Sequence, residues 1–431
     1  MVVDASVKKG FKQTDLGVIP EDWEIIDMGS IIESVIDNRG KTPPLSDVGY
    51  PLLEVNSIYK QGKHPNYTNV SKYVSKNTYL HWFRNGHPTI GDVLIATVGS
   101  AGSTAIMGEN RGSIAQNIVS IKVEKSVSND YFYYFTKTRF FADEVKAVLM
   151  GGVQPSLKVP HIKNFKIILP PTKADQMAIA TVLSETDELI EHMETLIAKK
   201  KAIKQGTMQQ LLTGQKRLPG FNGGWGEKKL GDMGKCYRGV SYNPISDLSL
   251  FDRDTTFRLF RSNNIQAAKI IYSDMQYVDE MRVSAVQQLR KDDILICMAN
   301  GSKELVGKAA KFSSDDEYVY TFGAFMGCFR PNKQIIDPGY VFQIFQTEKY
   351  KNHILLLLAG SSINNLRPND LEDLSVSIPI HRDEQEAIAA VLNDTDAEIE
   401  ILEQKRDKYV MIKQGMMQQL LTGKIRIYAN S

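Results

Sequence analysis

Several groups of side chains in this sequence are of the types that do chemistry, and each is incomplete. His81 and His87 in His-Trp-Phe-Arg-Asn-Gly-His offer imidazoles, but no Cys, Asp or Glu cluster accompanies them to complete a metal site. Gly301-Ser-Lys-Glu-Leu-Val-Gly307-Lys308 approaches a phosphate loop, with one residue too many between the glycines and Ala after the Lys. Glu144-Val-Lys146 matches a fragment of a nuclease motif, a pattern equally common on solvated helix faces. Cys236, Cys297 and Cys328 are scattered and form no Cys-x-x-Cys, so they read as reduced thiols of a cytosolic protein. No Gly-x-Gly-x-x-Gly opens a helix, and no Asn-Pro-Pro-aromatic run is present to clamp a flipped base. The expectation is a non-catalytic chain without metal or cofactor.

Composition fits a globular protein: 431 residues, 42% apolar, 24% charged, enough for more than one domain. A formal net charge of +2 neither forces nor excludes a nucleic-acid partner, so any DNA-binding face must be a local patch. The beginning, MVVDASVKKGFKQTDLG, lacks the apolar run of a signal peptide. The most apolar stretch, Ile354 to Ala359, falls far short of the ~20 residues that span a bilayer. These features predict a soluble, cytoplasmic protein with no membrane partner.

The elements that must position any functional residue are duplicated. Pro170 to Gly214 overlays Pro379 to Gly423 without a gap, and about half of the positions are identical. Upstream the likeness weakens: Tyr131 falls on Tyr340, Leu157 on Leu366, and Trp23-x4-Met28-Gly29 on Trp225-x4-Leu230-Gly231. The repeated unit is a diverged globular part followed by a well-matched helical part. In the globular parts, Val93 to Val98, Ile118 to Val123 and Ile294 to Cys297 read as strands bounded by turn residues.

In the helical parts, apolar residues recur at three- and four-residue spacing. The first stripe includes Ile179, Leu183, Ile190, Met193 and Ile203; the second includes Ile388, Leu392, Ile399, Leu402 and Ile412. Such a stripe predicts a helix that pairs with another helix. Gly206 and Gly415 stand at the same place in both copies and predict close helix approach or a bend, since each otherwise costs up to ~1 kcal/mol relative to Ala. Thr213-Gly214 and Thr422-Gly423 read as C-terminal stops.

The motifs FKQTDLGVIPEDWE, GGVQPSLKVPHIKNFKIILPPTKADQMAIATVLS, IPIHRDEQEAIAAVLNDTD and the twice-occurring QQLLTG resemble the DNA-specificity subunit of type I restriction–modification systems over essentially the whole chain. In the second loop GSSINNL departs from the Gln-Pro of the first. The resemblance implies an α+β fold with two target-recognition domains related by pseudo-two-fold duplication and separated by a long antiparallel, coiled-coil-like pair of helices. The corresponding boundaries are 1–168 and 219–377 for the domains, and 169–218 and 378–431 for the helical spacers. It also implies a bipartite double-stranded DNA target, two modification methyltransferase subunits docked on the helices, and restriction/translocase subunits. S-adenosylmethionine and ATP with Mg would belong to those partners, not to this chain. The alternative is a structural adaptor that assembles partners without reading DNA.

Base edges are read by Arg, Lys, Asn and Gln, while phosphate contacts only position a protein. On that ground the candidates in the first domain are Arg39, Lys41, Asn56, Gln116, Gln154 and Lys158. In the second they are Arg238, Asn243, Arg261, Asn263, Lys303, Lys308 and Arg367. Arg39 and Arg238 are expected at matching places in the two halves.

Overall fold

A computed structural model of the chain describes residues 9–60, 62–150, 156–360 and 364–427. It forms two compact units, Met1–Glu194 with Gln404–Ser431, and Thr195–Glu403. Each contains one globular domain and a part of each long helix.

In unit 1 a four-stranded antiparallel sheet runs in the order Ile32–Asp37, Ile118–Val123, Val93–Ala96, Thr104–Ile106. Val93 to Ala96 is apolar at every position because both faces of this inner strand are buried. A smaller sheet sets Tyr50–Leu53 antiparallel to Tyr73–Val74 and parallel to Ser113–Ile114. Lys166–Leu169 pairs with Glu24–Asp27.

Unit 2 repeats this plan. Its main sheet has the order Gly234–Arg238, Met326–Pro331, Ile294–Cys297, Ala309–Lys311. Its second sheet sets Thr256–Phe260 antiparallel to Gln276–Asp279 and parallel to Tyr320–Phe322. Trp225–Lys229 pairs with Ser375–Pro379. One topology thus occurs twice, as the internal repeat requires.

The long helices are Lys173–Leu212, of 40 residues, and Arg382–Leu420, of 39, or about 60 Å each at 1.5 Å per residue. In unit 1 Asp187 of the first helix is ion-paired with Lys413 of the second. In unit 2 Lys204 lies 2.6 Å from Asp396, and Lys200 lies 2.6 Å from Glu398. The partner number falls as the first number rises, so the helices are antiparallel there. Asp187 and Asp396, like Lys204 and Lys413, are the same positions of the two copies, and the repeat makes the same bridge twice.

The apolar stripe does more than pair helices. Ile179 and Leu183 lie in the core of unit 1 beside Trp23, Tyr131 and Ile168, together with Leu420 and Leu421 from the end of the second helix. Ile388 and Leu392 lie in the core of unit 2 with Met208, Leu211 and Leu212. Met193 and Ile399 are buried, and Ile190 and Leu402 are half-buried.

Four expected pairing positions are corrected. Ile203 and Ile412 are 51% and 40% exposed, and a Cβ added at Gly206 or Gly415 would meet nothing within 4 Å. Both isoleucines are therefore only partly covered, and no close approach among the described residues explains the glycines. Gly214 and Gly423 do terminate their helices, at φ +72° and +70°. A Cβ on Gly423 would lie 2.5 Å from Pro20, and one on Gly214 would lie 3.3 Å from Trp225.

The Gln of each Gln-x-x-Ile-Ala-x-Val-Leu motif has a clear task. Gln176 Oε1 accepts the Ser128 N–H at 2.8 Å, and its Nε2 donates to the Pro170 carbonyl at 3.2 Å. Gln385 does the same with Asp337 N–H at 3.0 Å and the Pro379 carbonyl at 2.8 Å. Ser128 and Asp337 in turn cap the helices Asn129–Phe135 and Pro338–Ile344. A buried glutamine therefore fastens each domain to the start of its long helix.

Candidate nucleic-acid interface

Unit 1 has a polar cleft of about 540 Å³ where the loop after strand Ile32–Asp37 meets the segment after helix Lys76–His81. Asp37, Arg39 and Lys41 line it from the first, and Trp82, Arg84 and Asn85 from the second. Asn85 Nδ2 donates to the Asp37 carbonyl at 2.5 Å and ties the two segments together. Arg39 Nε donates to both Asp37 carboxylate oxygens, at 2.8 and 2.9 Å. Burial alone would raise the Asp37 carboxyl, but the bonds and charge of Arg39 hold it below its ordinary value. The same bonds raise the Arg39 guanidinium above its own. Lys41 is exposed, and neither it nor Arg84 makes a hydrogen bond or ion pair among the described residues.

The segment is fixed from behind by aromatic packing. The Tyr79 ring stacks on His87 at 3.7 Å and on Tyr50 at 4.0 Å, and Phe83 meets His87 edge-on at 5.2 Å. His87 Nε2 donates to the Tyr79 carbonyl at 2.9 Å, and burial lowers the pKa of its ring. His87 is thus part of a ring stack, and no group of three metal-ligating side chains occurs among the described residues.

Of the other first-domain candidates, Gln116 and Lys158 are exposed. Asn56 exchanges hydrogen bonds with Asn69, donating to its carbonyl at 3.0 Å and accepting from its side chain at 3.3 Å, so it holds a turn. Gln154 lies outside the described residues.

In unit 2 most candidates are committed to the fold. Arg238 donates to the carbonyls of Ala324 at 2.8 Å and Leu366 at 2.5 Å, and to Asn365 Oδ1 at 2.7 Å. The expected match of Arg39 with Arg238 also fails by register. Arg238 pairs with Gly327 and Asp37 with Val119, the same point of the equivalent strands, so the counterpart of Arg238 is Asp37. Arg261 and Asn263 both donate to Asp274 Oδ2 at 2.9 Å. Lys308 donates to the Ile265 carbonyl at 2.8 Å, and Asn243 accepts from Ile245 N–H at 2.9 Å. Arg367 pairs with Asp370 at 2.9 Å yet remains largely exposed, and Lys303 is exposed. A second cleft in this unit, about 360 Å³, is lined by Asp252, Asp254 and Glu317 against Arg253 and Arg258. That acidic excess disfavours a phosphate backbone.

Sequence reasoning missed Trp82 and Arg84, because the motif that holds them was weighed only for its histidines. It also missed two lysines that brace the domains. Lys63 lies 2.6 Å from Asp130 and donates to Ser184 Oγ of the first long helix at 3.0 Å. Lys269 lies 2.7 Å from Glu400 of the second. Each closes the segment that begins at Asn56 or Asn263, a correspondence visible in the aligned repeats.

Comparison with known proteins agrees with this architecture. The model of the type I restriction modification DNA specificity domain matches residues 20–202 and again 222–408. The StySPI specificity subunit of Salmonella potsdam is 31% identical over 202 residues, 47% of this chain and 42% of that protein, so the match spans less than half of that relative. The putative MjaX specificity subunit of Methanocaldococcus jannaschii is 25% identical over 97% of both chains. In fold, the chain is similar to the S subunit of a type I restriction–modification system from M. genitalium, with TM-score 0.59 and 15% identity over 92% of this chain and 96% of that one. No helix among the described residues is long and apolar enough to cross a membrane. With one topology built twice and the specificity-domain model matching both copies, the chain belongs to the type I restriction modification DNA specificity family.

Proposed function

We propose that this chain is the non-catalytic specificity subunit of a type I restriction–modification enzyme. Each unit reads one half of a bipartite double-stranded DNA site, and the long helices dock two modification methyltransferase subunits. S-adenosylmethionine binds to those subunits, and ATP with Mg to restriction subunits that join them in the cytoplasm.

The observation that carries this reading is the repeated topology with equivalent helix bridges, Asp187–Lys413 and Lys204–Asp396, joined to globular parts whose polar side chains differ. Duplicated supports under diverged readers suit one partner bound twice and two unlike half-sites. The Ile203-Gly206 and Ile412-Gly415 faces fit the same reading, since they are repeated and stay partly open to solvent among the described residues.

The test is methyl transfer from labelled S-adenosylmethionine to duplex DNA by the modification subunit, with and without this chain. Transfer that requires the chain is expected. A stable complex that transfers no methyl group to DNA would instead support an adaptor that only assembles partners.

A further inference from the structure

We infer that Trp82 and Arg84 form a base-contacting pair by which unit 1 discriminates its half-site; this rests on the reading of the chain as a DNA-specificity subunit. Three independent observations converge on these residues.

The first is chemical availability. Arg39 is held by Asp37, while Arg84, in the same cleft, has no protein partner among the described residues. An uncommitted guanidinium has its planar fork free for the O6 and N7 acceptors of guanine. Lys41, equally uncommitted, supplies a point charge suited to phosphate. With Arg39 offset by Asp37, these two cations set the sign of the cleft.

The second is presentation. Trp82 is 39% exposed while Phe83, next to it, is buried. Phe83, His87 and Tyr79 hold the segment from behind through ring contacts, and Asn85 ties it to Asp37. The indole and the guanidinium are therefore displayed on a fixed support, which lowers the entropy lost on binding. A flat aromatic face beside a cation is suited to packing against a base or a thymine methyl group.

The third is asymmetry. The equivalent strands Tyr73–Val74 and Gln276–Asp279 are each followed by a connection to the next central strand, Val93–Ala96 or Ile294–Cys297. In unit 1 that connection carries His-Trp-Phe-Arg-Asn-Gly-His; in unit 2 it is shorter and has no tryptophan. The cleft exists where the two readers differ, as residues that choose a sequence should.

The test maps methylated sites in DNA from a restriction-free host that expresses the full chain with its modification subunit, for wild type, Trp82→Ala, Arg84→Ala and Arg84→Lys. For Arg84→Ala and Trp82→Ala, the expected result is at least a tenfold lower methylated fraction or a degenerate base in one half-site, with the other half-site unchanged. Arg84→Lys keeps the charge and is expected to keep methylation while relaxing one guanine position. Arg84 is solvent-facing, so its two variants should melt with wild type. Trp82 is 39% exposed, so Trp82→Ala is compared at a temperature well below its own melting point, where it is fully folded. A wild-type split motif reproduced unchanged by all three variants overturns the inference and leaves the specificity reading intact. A wild type that methylates no motif overturns both.

Discussion

At Gly423 the backbone takes φ +70°, and an added Cβ would lie 2.5 Å from Pro20. At Gly415, in the same phrase of sequence, the helix is regular and the space beyond is open. Gly423→Ala is therefore expected to destabilise the chain by about 1–3 kcal/mol, from the left-handed backbone and the close contact together. Gly415→Ala is expected to stabilise it by up to ~1 kcal/mol through helix propensity. Melting of the two variants decides the matter: shifts of the same sign would show that the glycines are not distinguished in this way. The stop at Gly423 was legible in sequence because Thr-Gly ends an apolar-periodic segment. Gly415 was not, because a helical glycine reads alike whether it faces a neighbour or solvent. The same ambiguity affected the arginines: Arg238 is spent on Ala324, Leu366 and Asn365, which lie far from it in sequence, and no local pattern reports that.

At the scale of elements, one buried glutamine fastens each domain to the start of its long helix. Gln176→Ala strips the Ser128 N–H and the Pro170 carbonyl of their partner, and Gln385→Ala does the same to Asp337 and Pro379. Each change is expected to cost about 1–3 kcal/mol. Amide exchange should quicken at Ser128 in the first variant and at Asp337 in the second; exchange that rises equally in both units would contradict a local fastening. The helices and their start were readable from periodicity, and the central strands from β-rich runs such as Val93 to Ala96. The use of the stripe was only partly readable, since three- and four-residue spacing serves a domain core as well as a second helix. Ile179 and Leu183 do the former beside Trp23 and Tyr131.

At the scale of the whole molecule, the duplication supplies two matching helix faces and two unlike domains, which we propose read unlike half-sites. Ile203→Ser combined with Ile412→Ser is expected to cost only about 1–2 kcal/mol of chain stability, since both side chains are already about half open to solvent. The same change should sharply reduce co-purification with the modification subunit; undiminished co-purification would remove these faces from the docking surface. Division of the chain into globular and helical parts was legible because the copies diverged unequally. Which polar side chains stay free for a partner was not, because that depends on which cations the fold leaves unpaired. That the two domains each specify half of one site is tested most directly by the methylation map of DNA from a host expressing the wild-type chain with its modification subunit. Two specified half-sites separated by a spacer of fixed length and free sequence are expected; a single contiguous motif, or none, would contradict the account.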